Sequence, residues 1–252
     1  VKRSGNQFFT SGVLLLALSL FHGEPVAAQR NKADILVTTG LQLVHGGKYH
    51  EAMSYFQKAL EIDPKNSTAY LNRGSLFYRF DKTDLALKDL DRCIQLKGDS
   101  YNAYRIKCKI AFERSQKAEA FDYVNRALKV APDNFELSDC YRTRGKLNWD
   151  AGDEQKALAD FNKAVQCAPT AAPSYKQRGN LYMHFKQYEK AIADYTTGLK
   201  TEKTERDLYY SLRSQAYEKI GRKDLARADR QKTNSNVMND FGIMFSPGKD
   251  DK

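Results

Sequence analysis

Four cysteines, four histidines and a single tryptophan among 252 residues leave little material for several kinds of chemistry. No CxxC, CxxCH or zinc-ligand spacing links Cys93, Cys108, Cys140 and Cys167, so neither a metal nor a haem is supported, and no cofactor is expected. GxSxG, HExxH, P-loop and GxGxxG patterns do not occur. Beyond the first thirty residues the histidines are His45, His50 and His184, and the five-residue step between the first two turns them apart on a helix. Catalysis by a triad or a metal therefore has no residues to draw on, and the chain reads as a non-enzyme. Asp150 and Asp153 are more simply turn and capping residues. Nowhere do five basic residues follow one another, although 41 Lys and Arg against 31 Asp and Glu give a net charge of +10. A nucleic-acid patch is not legible, and a basic balance suits acidic peptides, polyanions or anionic surfaces equally.

Long apolar runs are missing too. The uninterrupted stretch Val13 to Phe21 has nine residues, and counted from Phe8 it reaches 14, short of the ~20 that span a bilayer. Lys2 and Arg3 precede it, and the small residues Val26, Ala27 and Ala28 follow it before Gln29. This is the layout of a secretory signal peptide over residues 1–28, with cleavage expected after Ala28 and an uncleaved anchor over residues 8–21 as the alternative. Export to the periplasm or extracellular space is the expectation, and an oxidising compartment there permits disulfides.

What is present is a period. Gly40, Gly74, Cys108, Gly145, Gly179 and Ser214 are 34, 34, 37, 34 and 35 residues apart. Ala52, Ala86, Ala120, Ala157, Ala191 and Ala226 keep the same steps, including the three extra residues, Phe135, Glu136 and Leu137, between the third and fourth units. A bulky column reads Phe56, Leu90, Val124, Phe161, Tyr195 and Arg230, and a first-helix column reads Leu36, Tyr70, Tyr104, Tyr141, Tyr175 and Tyr210. In the unit from Ser138 to Ala171 these offsets suit two antiparallel helices turning at Ala151-Gly152-Asp153. Gly145 and Ala157 are expected to let the backbones approach while Tyr141 and Phe161 fill the space beside them, and Pro169 stops the second helix.

The pattern resembles the tetratricopeptide-repeat family, over about residues 33–235. The resemblance implies an all-α, right-handed solenoid of about six helix-turn-helix repeats, at residues 33–66, 67–100, 101–134, 138–171, 172–205 and 207–238. The repeat domain is then 29–238, closed by a polar last helix and followed by a loose tail over 239–252. Asn66-Ser67-Thr68 matches a glycosylation sequon, a short pattern that also arises by chance.

In this family the concave face lined by the first helices is the usual peptide-binding surface. Helical spacing assigns to it Tyr78 from the second unit, then Arg105, Lys109 and Phe112, then Arg142, Lys146 and Trp149, then Lys176, Asn180, Met183 and His184. Cations interleaved with aromatics suit an extended acidic peptide, and Trp149 is the expected anchor. The fifth unit partly resembles the carboxylate-clamp subfamily, since Lys176 and Asn180 flank Gly179, but Leu212 stands where that motif needs asparagine. A protein-interaction scaffold without a small-molecule substrate is the leading expectation, with polyanion binding through the same basic face as the alternative. Cys140 near the start of one helix and Cys167 near the end of its antiparallel partner could meet in a disulfide. Cys93 and Cys108 read as small buried hydrophobes.

Overall fold

A computed structural model describes residues 25–98 and 100–242, with side chains through Thr233. Among the described residues there are helices and connecting turns only: α1 (Val26–His45), α2 (Tyr49–Ile62), α3 (Ser67–Arg79), α4 (Thr83–Lys97), α5 (Tyr101–Glu113), α6 (Lys117–Val130), α7 (Asn134–Asp150), α8 (Glu154–Cys167), α9 (Ala172–His184), α10 (Tyr188–Thr201), α11 (Arg206–Lys219) and α12 (Lys223–Gly242). The described residues fall into two compact units that divide between residues 106 and 107, within α5. The apolar segment over residues 8–21 lies outside the described residues, as does the end of the tail beyond residue 242; α12 itself continues past residue 238. No described helix is long and apolar enough to cross a membrane.

Each repeat is a helical hairpin whose turn contains one residue of left-handed backbone: Gly47, Asp81, Ser115, Gly152, Lys186 and Gly221. At Gly152, φ is +85°, and the turn is closed by bonds from the Gly152 amide to the Trp149 carbonyl at 2.9 Å and from Asp153 to Asn148 at 2.8 Å. The inserted triplet forms the first turn of α7, which is 17 residues long where α3, α5 and α9 have 13. Asp133 caps that turn by accepting from the amides of Phe135 and Glu136. Asn66 caps α3 through Ala69 and also donates to Asp34 of α1 at 2.9 Å, so the sequon asparagine is buried and already engaged.

The six column alanines are fully buried. The small column meets its companion alanine, as at Gly74, where an added Cβ would lie 3.3 Å from the Ala86 carbonyl oxygen, and it also meets a bulky residue that spacing alone did not place there. A Cβ on Gly145 would lie 2.6 Å from the Phe161 ring, and one on Gly179 would lie 2.7 Å from Tyr195. The small column thus makes room for the bulky residue sixteen positions later. In the third unit both members change: Cys108 replaces glycine, Val124 replaces the ring, and the Cys108 thiol donates to the Ala120 carbonyl at 3.4 Å. Gly198 and the fully buried Tyr209 repeat the arrangement between α10 and α11. The expected bridge from Cys140 to Cys167 is not formed in this structure. Neither cysteine is in a disulfide, and the first is buried and the second half-buried.

Candidate functional site

Within the second unit, the first helices of successive repeats contribute one shallow pocket. It is lined by Lys109 and Phe112 from α5 and by Arg142, Lys146 and Leu147 from α7, above the buried Cys108, with a volume of about 180 Å³. Phe112 is 41% exposed, a large aromatic surface left to solvent, and the Lys146 ammonium stands 5.5 Å from its ring centre. Asp139 lies at the same pocket and pairs with Arg142, which leaves Lys109 and Lys146 as the cations that face solvent. Four of the predicted residues therefore converge.

The others have prior engagements. Trp149 is half-buried and packs with the core, edge-on to Phe161 at 6.5 Å and to His184 at 6.0 Å. Its indole is a wall of the fold. His184 meets the Glu154 carboxylate at 2.6 Å. Lys176 pairs with Glu205 at 3.4 Å and lies 6.0 Å from the Tyr209 ring centre. Asn180 accepts the Tyr195 hydroxyl at 2.8 Å, an internal bond made by a phenol whose ionisation burial strongly opposes. Met183 packs against the core between α9, α10 and α11. Tyr78 and Arg105 lie before residue 107, in the other compact unit, both half-buried.

A second constellation was not anticipated. Arg73, Arg144, Arg178 and Arg213, each on a first helix, fork onto Asp89, Asp160, Asp194 and Asp229, sixteen residues later on the second helix, with Nε and Nη2 bonds of 2.7 to 2.9 Å. The remaining nitrogen reaches back to the preceding second helix: to Gln57, Asn125, Asn162 and Thr196 respectively. The first-helix tyrosines, read from sequence as core, lie over these guanidinium groups at 5.5 to 5.8 Å. The carboxylate hydrogen bond raises each arginine's pKa further, against burial, which lowers it. In the third unit the pair becomes Lys107 and Tyr123, with the ammonium 4.6 Å from the ring centre. The sequence carries this signal as an Arg and Asp recurring at a fixed step of sixteen beside the glycine column.

Comparison with known proteins agrees with the hairpin geometry. The TPR repeat family matches residues 40–79 and the tetratricopeptide repeat family matches residues 172–204. The chain is 29% identical over 171 residues to DnaJ homolog subfamily C member 7 of Homo sapiens, covering 63% of this chain and 35% of that protein. It spans about a third of the length of the first curated relatives it matches. PilW, a type IV pilus biogenesis factor, superposes with a TM-score of 0.71 at 18% identity, over 81% of this chain and 93% of PilW. YrrB, a TPR protein with an unusual peptide-binding site, superposes with a TM-score of 0.54 at 18% identity, over 76% of this chain and 96% of YrrB. Two stretches of the chain thus match tetratricopeptide-repeat models, and its fold class is that of all-α tetratricopeptide solenoids.

Proposed function

We propose that the protein is a non-catalytic interaction scaffold that holds an extended, acidic peptide segment of a partner protein. The observation that carries this reading is the pocket between α5 and α7, where an exposed Phe112 ring is bracketed by Lys109 and Lys146. An aromatic surface supplies desolvated contact and the ammonium groups select carboxylates, the division of labour that peptide grooves use. YrrB, similar in fold, is itself described by its peptide-binding site. Export through residues 1–28 to an envelope or extracellular space belongs to the same proposal, supported by the charged, apolar and small-residue order of that segment.

Calorimetric titration of a blocked peptide with alternating Glu and Leu residues tests the pocket. Wild type should bind it, Phe112→Ala should weaken binding about tenfold and Lys109→Glu with Lys146→Glu should abolish it. Unchanged affinity in both variants would sink the assignment. A steep loss of binding with salt that ignores the leucines would favour a polyanion ligand instead. N-terminal sequencing of exported protein tests the leader: a first residue at or next to Gln29 is expected.

A further inference from the structure

The guanidinium of each Arg fork is covered on two faces in three of the repeats. Arg73 lies between Tyr70 at 5.6 Å and Phe77 at 5.7 Å, Arg178 between Tyr175 at 5.7 Å and Tyr182 at 5.9 Å, and Arg213 between Tyr210 at 5.8 Å and Tyr217 at 5.7 Å. The covering rings sit four residues before and three residues after the small column. In the fourth repeat the first ring is present, Tyr141 at 5.5 Å from Arg144, but the second position is Asn148. The Asn148 amide is buried and turns to Asp160, donating to Oδ2 at 2.9 Å. It thereby joins the carboxylate end of the fork and supplies no ring to the guanidinium.

A cleft of about 370 Å³ opens at this point on the second-helix side, lined by Arg144, Asn148 and Asp160, with Phe121 as an apolar wall. Its rim is Lys156 and Lys163. The correspondence with the next repeat is residue by residue: Lys190, thirty-four positions after Lys156, lies 5.4 Å from the Tyr182 ring centre. Where the fifth repeat holds its own tyrosine between an arginine and a lysine, the fourth holds space between the same two cations. The volume lies within the roughly 300–1,000 Å³ of clefts that take ligands.

We infer that this cleft is a second binding site, distinct from the pocket between α5 and α7, and that it accepts an aromatic side chain flanked by carboxylates on a partner protein. The ring lies over the open face of Arg144 as Tyr182 lies over Arg178, and the carboxylate meets Lys163, whose ammonium otherwise rests over the Tyr141 ring at 5.3 Å. A protein ring is preferred over a nucleobase because the same sequence closes the equivalent position three times with Tyr or Phe. The anion requirement follows from three lining cations against the single carboxylate of Asp160, although Lys156 already shares Asp153 at 2.9 Å.

The probes are 4-hydroxyphenylacetate and cyclohexylacetate, which share a carboxylate and a six-membered ring and differ in the π face. Proton–nitrogen NMR of the full chain follows the Arg144 Nε–H and the Asn148 side-chain amide. The aromatic acid should shift both resonances and bind about fivefold more tightly than the alicyclic one. Asn148→Tyr, and separately Asn148→Phe, should fill the cleft from within, raise the thermal midpoint and remove the aromatic acid's effect. Lys146→Glu should leave it unchanged, which separates this site from the peptide pocket. Equal affinity for the two acids in wild type overturns the inference without any variant. Persistence of binding in folded Asn148→Tyr overturns it as well, and tighter binding of uridine monophosphate than of the aromatic acid would reassign the cleft to nucleotides.

Discussion

Arg178 and Asp194, on facing helices of one hairpin, meet through two hydrogen bonds of 2.9 and 2.7 Å, and the same guanidinium donates a third, at 3.0 Å, to Asn162 of the preceding repeat. One side chain thus joins three helices. Both partners are largely withdrawn from water, so the carboxylate and the fork satisfy each other where neither could stand alone.

Replacing Asp194 by Asn keeps the shape and removes the charge, leaving a guanidinium with an inadequate acceptor. The expected loss is about 3 kcal/mol, read as a lowered urea midpoint. Combining it with Arg178→Met should recover part of that loss, since the orphaned cation is then gone. A double variant as unstable as the sum of its singles would deny the coupling.

The glycine column predicts a compensation. Gly145→Ala places a methyl group 2.6 Å from the Phe161 ring and should destabilise by about 1–3 kcal/mol despite alanine's better helix propensity. In a Phe161→Val background the same change should be far milder, because Cys108 and Val124 already coexist at these positions in the third repeat. A thermodynamic cycle over the four proteins measures the coupling directly.

Glu202 gives a prediction in pH. Its Oε1 accepts from the amides of Thr204, Glu205 and Lys203 at 2.9, 3.2 and 2.9 Å, and these bonds hold its pKa below the ordinary value of 4.5. A depressed folded-state pKa means that the stabilisation is present above the ordinary value and disappears as pH falls through the lowered one. Titration of the Glu202 carboxyl by carbon NMR should show a midpoint below 4.5, with faster exchange of the Thr204 and Glu205 amides on its acid side. A midpoint at or above 4.5 would contradict the turn geometry.

Thiol reactivity separates the cysteines. Burial pushes Cys108 up to about 11, with Asp139 adding to the effect and Lys109 opposing it, and burial also raises Cys93. Native protein at pH 8 should therefore react with a disulfide reagent first at the half-buried Cys167, and denaturant should release all four thiols. Two thiols after denaturation would instead restore the Cys140–Cys167 bridge.

The hairpins were legible because small and bulky residues kept two synchronous columns, and the inserted Phe135-Glu136-Leu137 announced itself by shifting both together. The pairing inside each hairpin was less so. Spacing placed Gly145 near Ala157 but not directly against the Phe161 ring, a crowded contact that only the relative rotation of the helices determines. Four of the pocket residues emerged from helical phase alone, Lys109, Phe112, Arg142 and Lys146. Phase could not reveal that Asn180 would be held by Tyr195 or Lys176 by Glu205, since those partners come from other helices. The tyrosine column was read as apolar filling, and its second role over guanidinium groups depended on arginines three residues further along.

Because Arg144, Arg178 and Arg213 each reach backward, to Asn125, Asn162 and Thr196, successive repeats are joined with a polarity. Trimming from the C-terminal side uncovers an amide or a hydroxyl, which water satisfies at little expense. Trimming from the N-terminal side strips a buried cation of one of its acceptors. Shortened versions should therefore tolerate loss of their last hairpin better than loss of their first, and unzipping should begin at the rear.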